Sequence, residues 1–207
     1  MLVNIYKSNP GQAMRLTAEN KERQRARIRA GAARVLRRDG YGGVNLDAVM
    51  AEAGLTRGAF YAHFGSKADL LAEVAAEEHP LRTILAAREG ATPQALLGQM
   101  QEIFAGYLDA GNLPKVYEGC TVASLQGDIA RATPEVRAAF EAGWHGILGE
   151  MARGQTAPDP GQLRAALVLA TGAVTTAQAC AAPDRRRDIL DAARPVVADL
   201  LRRACAV

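Results

Sequence analysis

Apolar residues recur along this chain at spacings of three and four, and nowhere in the strict alternation of a half-buried strand. Ile28, Ala32, Val35 and Leu36 predict the core face of a first helix that Gly40 ends. Leu46, Val49, Met50 and Ala53 make a shorter stripe. Leu96, Met100, Ile103, Phe104 and Tyr107 line another helix, and Val136, Phe140, Trp144, Ile147, Leu148 and Met151 the next. Thr92-Pro93 and Thr133-Pro134 each set a capping residue before a proline at the first helical position, so two helices start there. Pro158, Pro160 and Gly161 make a loop before an Ala-rich helix running to about Cys180. Pro183-Asp184 precedes a last helix with Ile189, Leu190, Ala193, Val196, Val197, Leu200 and Leu201 on one side, kinked where Pro195 removes a backbone bond. The expected fold is all-α.

The densest information lies between Asn45 and Leu71. Gly54 follows the short stripe, where a left-handed residue costs least, and Thr56 then stands ready to cap a second short helix, Arg57 to Phe64. Ser66 and Lys67 open a longer one. Two short helices across a tight turn have the form of a helix-turn-helix, whose second helix enters the DNA major groove.

Charge sharpens this reading. The formal net charge is +3 over 207 residues. Residues 1–68 hold 12 Lys/Arg against 5 Asp/Glu, whereas residues 69–207 hold 13 against 17. A basic head on an acidic body suits a DNA-reading module joined to a part that does not touch DNA. Arg23, Arg25, Arg27 and Arg29 belong either to that basic surface or to a solvated helix face.

The segment GLTRGAFYAHFGSKADLLAEV resembles the signature of the TetR-like family of bacterial transcriptional repressors. The resemblance rests on Gly54, Leu55, Thr56, Tyr61, His63, Phe64, Ser66, Lys67, Asp69, Leu70 and Leu71. The upstream run to Met50 is similar to the family's first helix and its glycine-aromatic connection, so the match covers about residues 17 to 75. Met50 departs from it, standing where the family has a small residue, which leaves the two short helices packed more loosely or shifted.

The resemblance implies an N-terminal three-helix helix-turn-helix DNA-binding domain, residues 15–66, and a larger helical effector-binding and dimerisation domain, residues 67–207. The implied function is repression from a near-palindromic operator bound as a homodimer and released by a small molecule. Arg57, at the start of the recognition helix, suits a bidentate contact to guanine or a phosphate contact. Gly58 and Ala59 permit close approach. Tyr61 and His63 match positions that meet phosphates or adjoining bases, and Lys67 is placed to clamp a phosphate at a helix start. Asn45 and Thr56, as caps, offer polar groups to the DNA backbone, and Phe60 and Phe64 fix the helix from inside. Small residues over Ala170–Ala181 and the apolar face of the last helix suit a two-fold four-helix interface, or are spent on the internal core. Two heads would then sit roughly 34–36 Å or somewhat more apart.

For the effector pocket the candidates are Met100, Phe104, Tyr107, Tyr117, Cys120, Phe140, Trp144 and His145, although apolar residues at helical spacing are core more often than pocket. Cys120 carries an alternative: the stretch EGCTVASLQGDIARATPEVRAAF resembles one in family members that sense electrophiles or oxidants, and a helix start lowers a thiol's pKa. Cys180 is a partner for it only if the fold brings them together, and Cys205 is expected in a frayed tail.

Other functions find little support. Nucleotide loops, the Gly-x-Ser-x-Gly elbow and H-E-x-x-H are all missing, and His63, His79 and His145 lack ligand spacing, so no enzyme, metal or cofactor is expected. Three distant cysteines suggest neither a disulfide framework nor zinc. With no signal peptide or transmembrane run, a cytoplasmic protein without membrane contact is expected. Residues 1–13 read as an arm, or as sequence upstream of a start at Met14.

Overall fold

In a computed structural model, the protein is described over residues 10–205, with side chains over 18–115 and 119–205. The described residues are helical with no strand. The elements are α1 (Pro10–Gly43), α2 (Leu46–Glu52), a 3-10 helix (Arg57–Ala62), α3 (Lys67–Glu77), α4 (Pro80–Ala86), α5 (Pro93–Tyr107), α6 (Leu113–Gly119), α7 (Thr121–Ala130), α8 (Pro134–Ala152), α9 (Pro160–Ala179) and α10 (Pro183–Ala204). Residues 1–9 of the expected arm lie outside the described residues, and α1 already begins at Pro10.

Local chemistry sets these boundaries. Gly40 breaks α1 with φ 69° and ψ 168°, and the chain turns there because Tyr41 N donates to Asp128 Oδ2 at 3.0 Å. Asn45 caps α2 by accepting from Asp47 N at 2.9 Å. Ser66 caps α3 and Thr92 caps α5 in the same way, from Asp69 N and Ala95 N. Prolines fill the first turns of α5 and α8 as expected, and Pro160 and Pro183, expected ahead of their helices, open α9 and α10 in the same way. The last helix runs from Pro183 to Ala204 with Pro195 inside it and exposed. A proline facing outward leaves its lost bond at the wet face of the helix, so α10 tolerates it.

Two apolar clusters organise the molecule. One gathers α4–α10 around Leu85, Met100, Phe104, Leu113, Ile147, Leu167, Val174, Leu190, Val197 and Leu201. The other gathers the head around Ile28, Leu36, Val49, Met50, Phe60 and Phe64. It continues past residue 66 through Leu70, Leu71 and Val74 and takes in Leu125, Ile129 and Val136 from α7 and α8. Met50 is fully buried there, and its carbonyl accepts from Leu55 N at 2.8 Å to close the turn. Cys205, expected in a frayed tail, is instead buried in the body cluster, because α10 keeps its last turn against the core.

His79 lies at the break between α3 and α4, 3% exposed, with Nε2 donating to Ala75 O at 2.7 Å. Its other ring nitrogen is buried without a partner. Burial, and then Arg82, hold its pKa below the usual histidine value, against the raising pull of the Ala75 carbonyl, Glu77 and Glu78. As pH falls below about 6.5 the unfolded chain therefore takes up a proton that the folded one resists. Stability should decline from there towards the lowered folded pKa and level off below it. A His79→Asn protein should lack this part of the loss, which urea midpoints at about pH 7 and about pH 5 would show.

Candidate nucleic-acid interface and body cleft

The turn between α2 and the 3-10 helix is built on Gly54, whose φ of 64° suits glycine. Instead of the expected α-helix to Phe64, six residues form a 3-10 helix, with Ala59 N bonded to Thr56 O and His63 N to Phe60 O. Thr56 occupies the N-cap position, but its side chain makes no cap bond, so the expected capping role falls away. Phe60 and Phe64 face inward, as expected, and stack at 5.6 Å.

The outer surface carries Thr56, Arg57, Gly58 and Tyr61, with Ala59 half-buried. Tyr61 is 65% exposed, an unusual position for a large aromatic, and nothing lies within 4 Å of a Cβ added at Gly58. Arg57 Nη1 donates to Asp47 Oδ2 at 2.8 Å, and both side chains are more than half exposed. Such a pair contributes at most about 1 kcal/mol in water, so an anion approaching Arg57 displaces Asp47 at little cost.

Two sequence candidates point elsewhere. The His63 ring is buried and faces Gln24 Oε1 at 3.3 Å. Burial, then Lys21 and Arg25, lower its pKa. Lys67 Nζ donates to Tyr41 O at 2.5 Å and Val44 O at 3.1 Å and lies 4.5 Å from the Tyr41 ring centre. Tyr41 O lies in the last turn of α1 and Val44 O just beyond it, where the helix no longer supplies donors, and the ammonium takes that place. Lys67 thus secures the α1–α2 connection before it serves any phosphate.

The arginine face of α1 divides in two. Arg25 bonds Glu73 and the carbonyl of His63 and covers the Phe64 ring at 4.4 Å, while Arg29 Nε donates to Glu78 at 2.9 Å. These two, four apart and facing α3, brace the 3-10 helix against α1 and α3. Arg23 and Arg27 are exposed and extend the basic surface.

In the body, a cleft of about 350 Å³ opens between α4, α5 and α6. Its walls include Leu81, Ile84, Ile103, Tyr107 and Cys120, and Glu102, Asn112 and Lys115 bring polarity. Of the sequence candidates, Tyr107 and Cys120 are here. Met100 and Phe104 are fully buried in the core. Phe140, Trp144 and His145 lie on α8, which packs against α3 and α4 away from the cleft. His145 is exposed and donates through Nδ1 to Glu141 O in its own helix. Tyr117 falls among residues 116–118, whose side chains are outside the described ones. Ile84, Glu102 and Lys115 carried no motif, and only long-range packing reveals them.

Cys120 does sit at the N-cap of α7, but it is 4% exposed, and burial raises its pKa against the lowering effects of Tyr107 and nearby amides. Tyr107 Oη donates to its sulfur at 3.0 Å. The low-pKa thiol expected from the helix start is thus reversed by burial. All three cysteines are free. Next in the chain, Thr121 is buried, and its hydroxyl donates to Glu78 O at the end of α3 and accepts from Arg37 Nη1 at 3.4 Å. The cleft wall is therefore one residue from a polar contact with both α1 and α3.

Among the described residues no helix is long and apolar enough to cross a membrane, and no group of three or more His, Cys, Asp or Glu suits a metal ion.

Residues 28–74 match the family model described as bacterial regulatory proteins, tetR family. No curated protein sequence matches the chain. The whole fold is similar to solved structures. The reduced form of E. coli NemR is 19% identical with a TM-score of 0.62, over 84% of this chain and 94% of that one. SCO4454, a TetR-family transcriptional regulator from Streptomyces coelicolor, is 19% identical with a TM-score of 0.60, over 89% and 97%. The multidrug binding protein EbrR, complexed with proflavin, is 23% identical with a TM-score of 0.58, over 86% and 99%. At these identities the likeness is one of fold.

Proposed function

We propose, on the footing that this chain belongs to the TetR family of bacterial transcriptional regulators, that it represses transcription by binding a near-palindromic operator as a homodimer. The observation that carries this reading is the exposed surface of Arg57, Gly58 and Tyr61 on a helix-turn-helix whose inner face is locked by Phe60, Phe64 and Arg25. A rigid element presenting a guanidinium and an aromatic with open space at glycine suits the major groove. We place Asn45 and Thr56 at its edge, near the DNA backbone, and give His63 and Lys67 positioning roles.

For the dimer we propose the outer faces of α9 and α10. Ala165, Val168, Gly172 and Thr176 are exposed along α9, and Ala192, Pro195 and Val196 along α10. Val168 and Val196 are about half exposed, large apolar side chains on the faces that the internal core leaves open. Pairing them across a two-fold axis would bury both stripes.

The signal we assign to the cleft beside Tyr107. Its apolar walls and few polar groups suit a small organic molecule. EbrR, which shares the fold, is described as binding multiple drugs. Cys120 serves as wall rather than reactive group, since a thiol with a raised pKa yields little thiolate near neutral pH. Occupancy would reach the head through Thr121, Glu78 and Arg37. A cytoplasmic, non-enzymatic protein is consistent with this role.

Fluorescence anisotropy on DNA from the neighbouring promoter, titrated with salt, tests the proposal. Sequence-specific binding with two chains per site and a steep salt slope is expected. Arg57→Ala should relax the preference at one position of each half-site by ~1–3 kcal/mol, whereas Lys67→Ala should weaken all sequences alike. Equal effects of the two would overturn the assignment of Arg57. Binding no better than to random DNA would overturn the repressor reading.

A further inference from the structure

A second cavity, of about 450 Å³, lies between the turn that joins α5 to α6 and the first three turns of α10. Arg186, Arg187 and Arg194 line it together with Asp109 and Asp191. We propose that this cleft is a binding site for a small multivalent oxyanion such as a phosphate or diphosphate group, separate from the effector cleft and the DNA surface.

Asp109 is already engaged, Asp191 is held only loosely by Arg194, and the guanidinium groups are only partly spent. Asp109 Oδ1 accepts from Gly111 N at 2.7 Å, which shapes the turn, and Asp191 Oδ1 lies 3.4 Å from Arg194 Nη1. Arg186 spends Nε on Cys180 O, and Arg194 spends Nη2 on Leu108 O. The Arg194 Nε is buried with no hydrogen-bond partner among the described residues, which is costly for a charged group. Arg187 meets Asp184 at 3.4 Å, but both are well exposed and hold each other weakly. Each guanidinium has five N–H donors in a planar fork that matches an oxyanion, so most of this capacity remains unspent.

The backbone points the same way. Ala182 is the N-cap of α10 and supplies no side-chain acceptor, so the positive end of a 22-residue helix faces the cleft beside Pro183. Arg187, Asp191 and Arg194 follow at i, i+4 and i+7 on one face, whereas Ala192 and Val196 point to another. The cleft therefore stays open in the proposed dimer. Its other wall, Asp109 to Pro114, continues directly into Gly106, Tyr107, Asn112 and Lys115, which line the effector cleft.

Isothermal titration calorimetry of the full chain with inorganic pyrophosphate at low ionic strength provides the test. One saturable site per chain is expected in this cleft. Arg187→Gln/Arg194→Gln should weaken it about tenfold, through loss of charge-assisted bonds. Asp109→Asn keeps the acceptor for Gly111 and removes a repelling charge, so it should tighten binding. Arg57→Gln, in the head, should leave this site unchanged. If losing the Leu108 contact unfolds the double variant, Arg187→Gln alone still decides, since its exposed side chain holds no core contact; it should weaken binding several-fold. No saturable binding, or binding lost with Arg57→Gln and kept by the cleft variants, overturns the proposal.

Discussion

Alanine at position 143 should cost the folded protein about 3 kcal/mol, although alanine is ordinarily the better helix former. Gly143 is where α8 crosses α3. A Cβ there would fall 2.1 Å from His79 Nε2 and 2.7 Å from the carbonyl oxygen of Ala75. Side-chain atoms can move, but the Ala75 carbonyl is helix backbone and also accepts the His79 bond. The two helices must therefore separate or the buried imidazole must lose its partner. Overpacking of this kind costs ~1–3 kcal/mol, a lost buried hydrogen bond roughly another 1–3, and the gain in helix propensity returns about 1. Thermal melts should show a drop of roughly 6–12 °C for a chain of this size. Adding His79→Ala should recover part of the loss, because it removes the nearest atom while the carbonyl remains. An unchanged or raised melting temperature would mean that α3 and α8 do not meet as described.

Arg88→Met is expected to be at least as damaging, by about 3–5 kcal/mol. Arg88 is 4% exposed and, among the described residues, has no carboxylate within bonding reach; its donors go to main-chain oxygens. Nε donates to Leu85 O at 2.9 Å, Nη1 to Leu96 O at 3.1 Å and Nη2 to Glu150 O. Arg153 adds three contacts of 3.1 Å to the carbonyls of Leu85, Ala86 and Arg88. The two arginines thus tie the ends of α4 and α8 to the start of α5, each fork using the second lone pair of main-chain carbonyls that the three helices bring together. Methionine keeps much of the volume and removes every donor. Lysine, with a compact ammonium in place of a fork, should restore only a minor part. Urea denaturation at constant slope is the measurement, and a midpoint matching the parent protein would refute the role given to Arg88.

These two residues also mark what the sequence could and could not disclose. Helix boundaries were legible because capping is local: Thr92 followed by Pro93, or glycine at 40 and 54, carries its own physics within four residues. The helix-turn-helix was legible for the same reason, and the inward faces of Phe60 and Phe64 were implied by the family resemblance. Arg88 gave no signal, since the carbonyls it serves come from residues up to 62 positions away. Nor did the cleft: Ile84, Glu102 and Lys115 meet only after α4, α5 and α6 have packed. Cys120 shows the two scales in conflict. Its helix-start position favoured a reactive thiolate, and tertiary burial decided otherwise. The position of Cys205 failed in the same direction, because a terminal segment looks frayed until its neighbours are known.

The head cluster has a practical corollary for anyone exchanging parts between regulators. Leu125, Ile129 and Val136 belong to α7 and α8, yet they close the apolar interior of the helix-turn-helix end. A graft cut at the helix-turn-helix boundary would carry away Ile28, Leu36 and Phe60 and leave behind three of the side chains that cover them. The recipient body would have to offer apolar groups of similar shape at the same places. Interchangeable specificity in this architecture therefore requires transplanting a seam, drawn from both ends of the molecule, rather than a cassette read off the chain.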